Sequence, residues 1–131
     1  MTTNTIILID DDLSVNYFHR RLITILNLTD DIHTFFNGKQ ALEGIMTLNN
    51  ASEPGKKAVI FLDLNMPLVS GWEFLEEFEK LKHQLHIVCN IHVISASLNP
   101  VDKERAEQNP NVMSYISKPL SKETLLHCFN I

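Results

Sequence analysis

Ala58-Val59-Ile60-Phe61-Leu62-Asp63 places five apolar residues in a row and ends them on a carboxylate. An unbroken run of this length, rich in β-branched and aromatic side chains, reads as a strand buried on both faces, the pattern of a parallel sheet. Working outward, the same kind of run recurs at Thr5 to Ile9, Ile32 to Phe36, Ile91 to Ile94 and Val112 to Ser117. Longer segments of helical period separate the runs. Leu13 to Leu28 carries Val15, Phe18, Leu22, Ile25 and Leu26 on one stripe, with His19, Arg20 and Thr24 off it. After Asn37-Gly38, a second stripe is Ala41, Leu42, Ile45 and Met46; Gly71 to Lys82 turns Phe74, Leu75, Phe78 and Leu81 inward. Pro100 suits the first turn of a helix running to Gln108, which Asn109-Pro110 ends. Ser121 caps a last helix with Leu125, Leu126 and Phe129 facing the core, and Thr124 stands where Glu or Gln would complete a capping box. Asn49 to Lys57 and Gln84 to Asn90 read as loops.

Strict strand–helix alternation implies an α/β fold: five parallel strands, right-handed crossovers and helices on both faces. The 131 residues make one ordinary domain with no linker, repeat or low-complexity tract, so residues 1–131 are expected to be a single unit with no second domain. A hydrophobic fraction of 44% is enough for a core without disulfides or a structural metal. The net charge of -5, with no basic run longer than Arg20-Arg21 or Lys56-Lys57, argues against nucleic-acid binding. Cys89 and Cys128 form no close-spaced metal or redox motif and read as free thiols. The run Ile6 to Ile9 is too short for a signal peptide or a membrane span, so the chain reads as cytoplasmic.

Ligands on doubly wound sheets bind beyond the carboxyl ends of the strands. Here the first strand ends in Asp10-Asp11-Asp12, the third in Asp63, the fourth in Ser95-Ala96-Ser97 and the fifth in Lys118-Pro119. In a parallel sheet these ends share one edge. Taken singly, Asp12 is equally a helix cap, Ser95 a small loop residue and Lys118 a solvated charge. Asp63 is harder to dismiss, because a carboxylate at the rim of a buried strand needs partners. Asp10, Asp11 and Asp63 bring three negative charges together, which without a cation would drive their pKa values up and apart. Lys118 supplies one positive charge and a divalent ion would supply two; oxygen ligands with room for water suit Mg²⁺. The six histidines show no metal spacing, and His92 reads as a packed or edge residue.

Over nearly its whole length the sequence resembles the bacterial response-regulator receiver domain, in the stand-alone form of the chemotaxis regulators. The stretches that carry the likeness are Ile7-Leu8-Ile9-Asp10-Asp11-Asp12, Phe61-Leu62-Asp63-Leu64-Asn65-Met66-Pro67 with Ser70-Gly71, Val93-Ile94-Ser95-Ala96 and Tyr115-Ile116-Ser117-Lys118-Pro119. The resemblance implies a flavodoxin-like three-layer (βα)5 sandwich with strand order 2-1-3-4-5. It implies a phosphorelay role in which Asp63 accepts a phosphoryl group and Lys118 pairs with Asp63 and then with a phosphoryl oxygen. Ser95 would donate its hydroxyl, and Asp10, Asp11, Asp63 and the backbone carbonyl of Asn65 would hold Mg²⁺. It also implies a cis bond before Pro119 and a switch at Tyr115, which read alone is an ordinary half-buried strand aromatic. The partners it implies are a histidine kinase or histidine phosphotransfer protein as donor, docking near Leu13 to Phe18 and Lys118-Pro119-Leu120, and a downstream protein target. The molecule would be a monomer or a phosphorylation-dependent dimer, self-modifying rather than an enzyme with turnover.

Two details depart from the commonest pattern of the family. Ser95 stands in place of threonine, and Asn65 and Ser97, neither acidic nor bulky, flank the phosphoryl position. Two other readings compete. An aspartate-nucleophile phosphatase of the haloacid dehalogenase type also needs an acid two residues after the nucleophile, where this chain has Asn65. A flavodoxin-like cofactor carrier would have its flavin phosphate repelled by Asp10, Asp11 and Asp63.

Overall fold

The computed structural model describes residues 4–66, 70–96 and 99–129. Five strands, β1 (Thr5–Ile9), β2 (Ile32–Phe35), β3 (Lys57–Asp63), β4 (Val88–Ser95) and β5 (Val112–Ser117), alternate with five helices. The helices are α1 (Leu13–Ile25), α2 (Gly38–Ala51), α3 (Gly71–Leu81), α4 (Pro100–Gln108) and α5 (Lys122–Cys128). All neighbouring strands pair in parallel, in the order β2-β1-β3-β4-β5. This is the expected doubly wound sheet, and β1 and β5 keep the bounds read from sequence.

Each helix opens on a short polar cap: Asp12, Asn37, Ser70, Asn99 and Ser121 each accept a backbone N–H of the first turn. Thr124 completes the capping box at α5 although it is neither Glu nor Gln, because its hydroxyl accepts the Ser121 N–H at 2.9 Å. Alternation along the strands splits the interior in two. Ile7, Ile9, Ile60 and Leu62 point to the side of α2 and α3, with Phe74, Leu75 and Phe78. Ile6, Leu8, Val59 and Phe61 point to the opposite side, with Ile23 of α1 and Leu125 of α5. No helix among the described residues is long and apolar enough to cross a membrane.

Two sequence expectations need correcting. The first concerns α1, whose buried residues are Asn16, His19 and Ile23, while Phe18 is 50% and Ile25 67% exposed. Apolarity alone set the expected stripe. The inner face instead carries two polar side chains whose hydrogen bonds offset the cost of burial. The second concerns Gln84 to Asn90, expected as a loop. A 3₁₀ turn occupies Lys82–Gln84, and β4 already begins at Val88, pairing with Lys57. Buried Asn49 guides the approach, its Oδ1 accepting the N–H groups of His86 at 2.9 Å and Ile87 at 3.2 Å. Polar residues in that stretch therefore belong to a paired strand start.

Candidate phosphoryl-acceptor site

Adjacent strands assemble the site. β1 and β3 are neighbours with Ile9 opposite Leu62, so the residues that follow, Asp10 and Asp63, come side by side. β4 and β5 end together with Ser95 opposite Ser117, and the Lys118 N–H donates to the Ser95 carbonyl at 2.9 Å. The next peptide bond, Lys118–Pro119, is cis, as expected.

Asp10 is buried. Its Oδ1 accepts the Asp12 N–H at 2.9 Å, its Oδ2 meets Lys118 Nζ at 2.6 Å, and its carbonyl accepts Asn16 Nδ2 at 2.9 Å. Asp63 is 3% exposed; its Oδ1 accepts the Asn65 N–H at 3.3 Å and lies 3.3 Å from Lys118 Nζ. Lys118 thus bridges the two acids and holds Asp10 more closely than Asp63. Asp11 is exposed, and the carboxylate oxygens of Asp10, Asp11 and Asp63 lie within 4.8 Å of one another.

The electrostatics follow from burial and charge. The Asp63 pKa is raised to about 6: burial pushes it up most, the Asp10 charge adds to the rise, and Lys118 and the Asn65 N–H only partly oppose them. Lys118 feels burial in the opposite sense, but the hydrogen bond to Asp10 and the charges of both acids outweigh it and hold the ammonium above its ordinary pKa. Three carboxylates against one ammonium leave a net deficit of positive charge. An all-oxygen donor set at such a deficit fits a hard divalent cation.

Ser95 is buried at the end of β4. Tyr115 is half-buried on β5, opposite Val93, and packs against the core on the α3 side. Pro67 and Ser97, named from sequence, lie outside the described residues. Gly71 opens α3 hard against the site strand: a Cβ there would stand 2.5 Å from the Asp63 carbonyl and 2.6 Å from Leu64 Cα. Glycine is required by this close backbone approach. Sequence reasoning missed Asn16 and His19. Each binds one loop of the site, Asn16 through the Asp10 carbonyl and His19 Nε2 through the Leu120 N–H at 3.1 Å. The available signal was their spacing with Ile23, which follows a helical face of mixed polarity.

The family model described as "Response regulator receiver domain" matches residues 6–130. No curated protein matches the chain. Among solved structures, a two-component response regulator from Cytophaga hutchinsonii is 28% identical with a TM-score of 0.83, covering 99% of this chain and 96% of that one. A response regulator receiver protein from Dyadobacter fermentans is also 28% identical, with a TM-score of 0.79 and coverage of 96% and 98%. A chemotaxis protein of Vibrio cholerae, 19% identical, shares the fold at a TM-score of 0.70 over 99% and 98% of the two chains.

Proposed function

The chain belongs to the family of response regulator receiver domains, and on that premise we propose that Asp63 accepts a phosphoryl group from a phosphohistidine on a kinase or phosphotransfer protein. The observation that carries this reading is the buried Asp63 carboxylate beside Asp10, Asp11 and the Lys118 ammonium. An Asp63 oxygen attacks phosphorus in line, the P–N bond to the donor imidazole breaks, and the imidazole leaves with the electron pair. Mg²⁺ held by Asp10, Asp11, Asp63 and the Asn65 carbonyl would supply positive charge for the phosphoryl oxygens. Lys118 gives up part of its contact with the carboxylates and takes an equatorial oxygen, and the Ser95 hydroxyl donates to another.

Phosphorylation turns one negative charge into about two and adds acceptor oxygens. Ser95 moving toward them frees space that Tyr115 can enter, and the α4-β5-α5 surface shifts in population for a target or an onward relay. The donor docks over α1. Leu13 and Tyr17 are each 67% exposed, and Ser14, Val15, Phe18, His19 and Pro119 line a groove of about 270 Å³ between α1 and the β5–α5 loop. The reaction is self-catalysed and leaves a modified protein; Asn65, two residues after Asp63, offers no acid for phosphatase turnover.

The test is incubation with Mg²⁺ and a small acyl phosphate, read by intact mass. A single phosphoryl adduct is expected, absent with a chelator and absent in Asp63→Asn. A normal adduct on the Asn variant would refute the assignment.

A further inference from the structure

The inner face of α1 buries an imidazole that the reaction itself does not use. His19 is 0% exposed, and its Nε2 lies 3.1 Å from the Leu120 backbone nitrogen, an N–H that can only donate. A ring nitrogen that accepts a hydrogen bond carries no proton, so the neutral ring is protonated at Nδ1. Burial keeps the ring neutral by lowering its pKa to about 4; the Asp10 charge pulls upward and the Lys118 charge adds to the fall. Nδ1 is buried with no hydrogen-bond partner among the described residues, and so is Asn16 Oδ1 one helical turn away.

The contact matters because of what lies next to it. In Lys118-Pro119-Leu120 the proline has no N–H. The two remaining backbone donors both leave the segment, Lys118 N–H to the Ser95 carbonyl and Leu120 N–H to His19. The chain that presents Lys118 Nζ to Asp10 and Asp63 is thus pinned on one side by β4 and on the other by α1. We propose that His19, as the Nδ1-protonated tautomer, is a positioning residue that sets the reach of Lys118 to the phosphoryl-acceptor site. Its kinetic consequence rests on the phosphoacceptor reading of Asp63; its tautomer and its bond to Leu120 do not.

Long-range proton–nitrogen NMR spectra of the ¹⁵N-labelled protein at pH 7 should show His19 protonated at Nδ1 and bare at Nε2. In His19→Leu the Leu120 amide should lose its hydrogen-bonded shift, and adduct formation with Mg²⁺ and a small acyl phosphate should slow by about tenfold or more, since small misplacements are costly in rate. His19→Gln, whose Oε1 can accept the same N–H, should restore the shift and most of the rate. A proton on Nε2, an unchanged rate in the leucine variant, or equal slowing in both variants overturns the proposal. If the wild-type protein takes no phosphate, the phosphoacceptor reading falls, and His19 is still decided by its tautomer and the Leu120 amide.

Discussion

At the scale of the residue, Asp63 is held at a cost. Its pKa stands near 6 in the fold against 3.8 for the free side chain, so the native state binds its proton more tightly than the unfolded chain does. The penalty is fully present above pH 6, where both states are ionised, and it vanishes as pH falls toward 4. With metal chelated, Asp63→Asn should therefore raise stability at pH 7 by up to about 3 kcal/mol, following from the size of the shift. Urea unfolding at pH 7 and pH 4 checks this: the gain should be large at the first and nearly absent at the second. The identity of Asp63 as the special acid was legible in sequence, because a carboxylate that closes a buried apolar strand must find a cation or hydrogen-bond donors at that strand end. The preference of Lys118 for Asp10 was not. It depends on which of two adjacent strand ends the ammonium reaches first.

At the scale of the element, α1 serves two purposes through opposite faces. Asn16 and His19 tie its inner face to both site loops, and Leu13, Tyr17 and Phe18 expose an apolar outer face. Surface apolar residues grouped beside a groove mark an interaction site. Phe18→Ala should slow transfer from a phosphohistidine partner by about tenfold, the effect of a moderate interface anchor, while leaving a small acyl-phosphate donor unaffected. Stopped-flow transfer measured against the small-donor rate separates the two; equal loss in both assays would place Phe18 in the site rather than at its rim. α4 shows a different economy. Ala106 is its one buried residue among those described, and Arg105 lies over the Trp72 ring at 4.0 Å, so the helix is held lightly on the surface expected to shift.

At the scale of the whole molecule, buried ionisable groups set the response to acid. Burial lowers both His19 and His92 to about 4; for His92, the nearby His127 charge adds to the fall. His92 stacks on Phe61 at 5.6 Å between ring centroids, and its Nδ1 is 2.7 Å from the Ser114 hydroxyl, so it is a packed core residue, in line with its sequence reading. For both rings the folded pKa lies below the unfolded 6.5. The stability they confer is complete above pH 6.5 and is lost as pH falls through 4, by up to about 3 kcal/mol each. Asp63 acts in the opposite direction between pH 6 and 4 and offsets less than half of that loss. Thermal unfolding in chelator should therefore show falling stability from pH 6.5 to 4. The fall should be steeper in Asp63→Asn, which lacks the compensating proton uptake. A flat profile would mean that the two rings are not buried in neutral form.

Sequence by itself determined the strands, their parallel arrangement and the edge on which Asp10, Asp11, Asp63, Ser95 and Lys118 meet. Doubly buried strands leave unbroken apolar runs, and the polar residues that end them have one place to go. Tertiary structure decided the face of α1 and the start of β4. At α1 the partners that make Asn16 and His19 acceptable inside are the Asp10 carbonyl and the Leu120 N–H, the latter supplied from the far end of the chain. At β4 the partner is Lys57 of β3. Hydrophobic periodicity measures what water rejects. It cannot register a polar group whose hydrogen bond is supplied by a distant segment, and in this protein such groups tie α1 to the loops that carry Asp10 and Lys118.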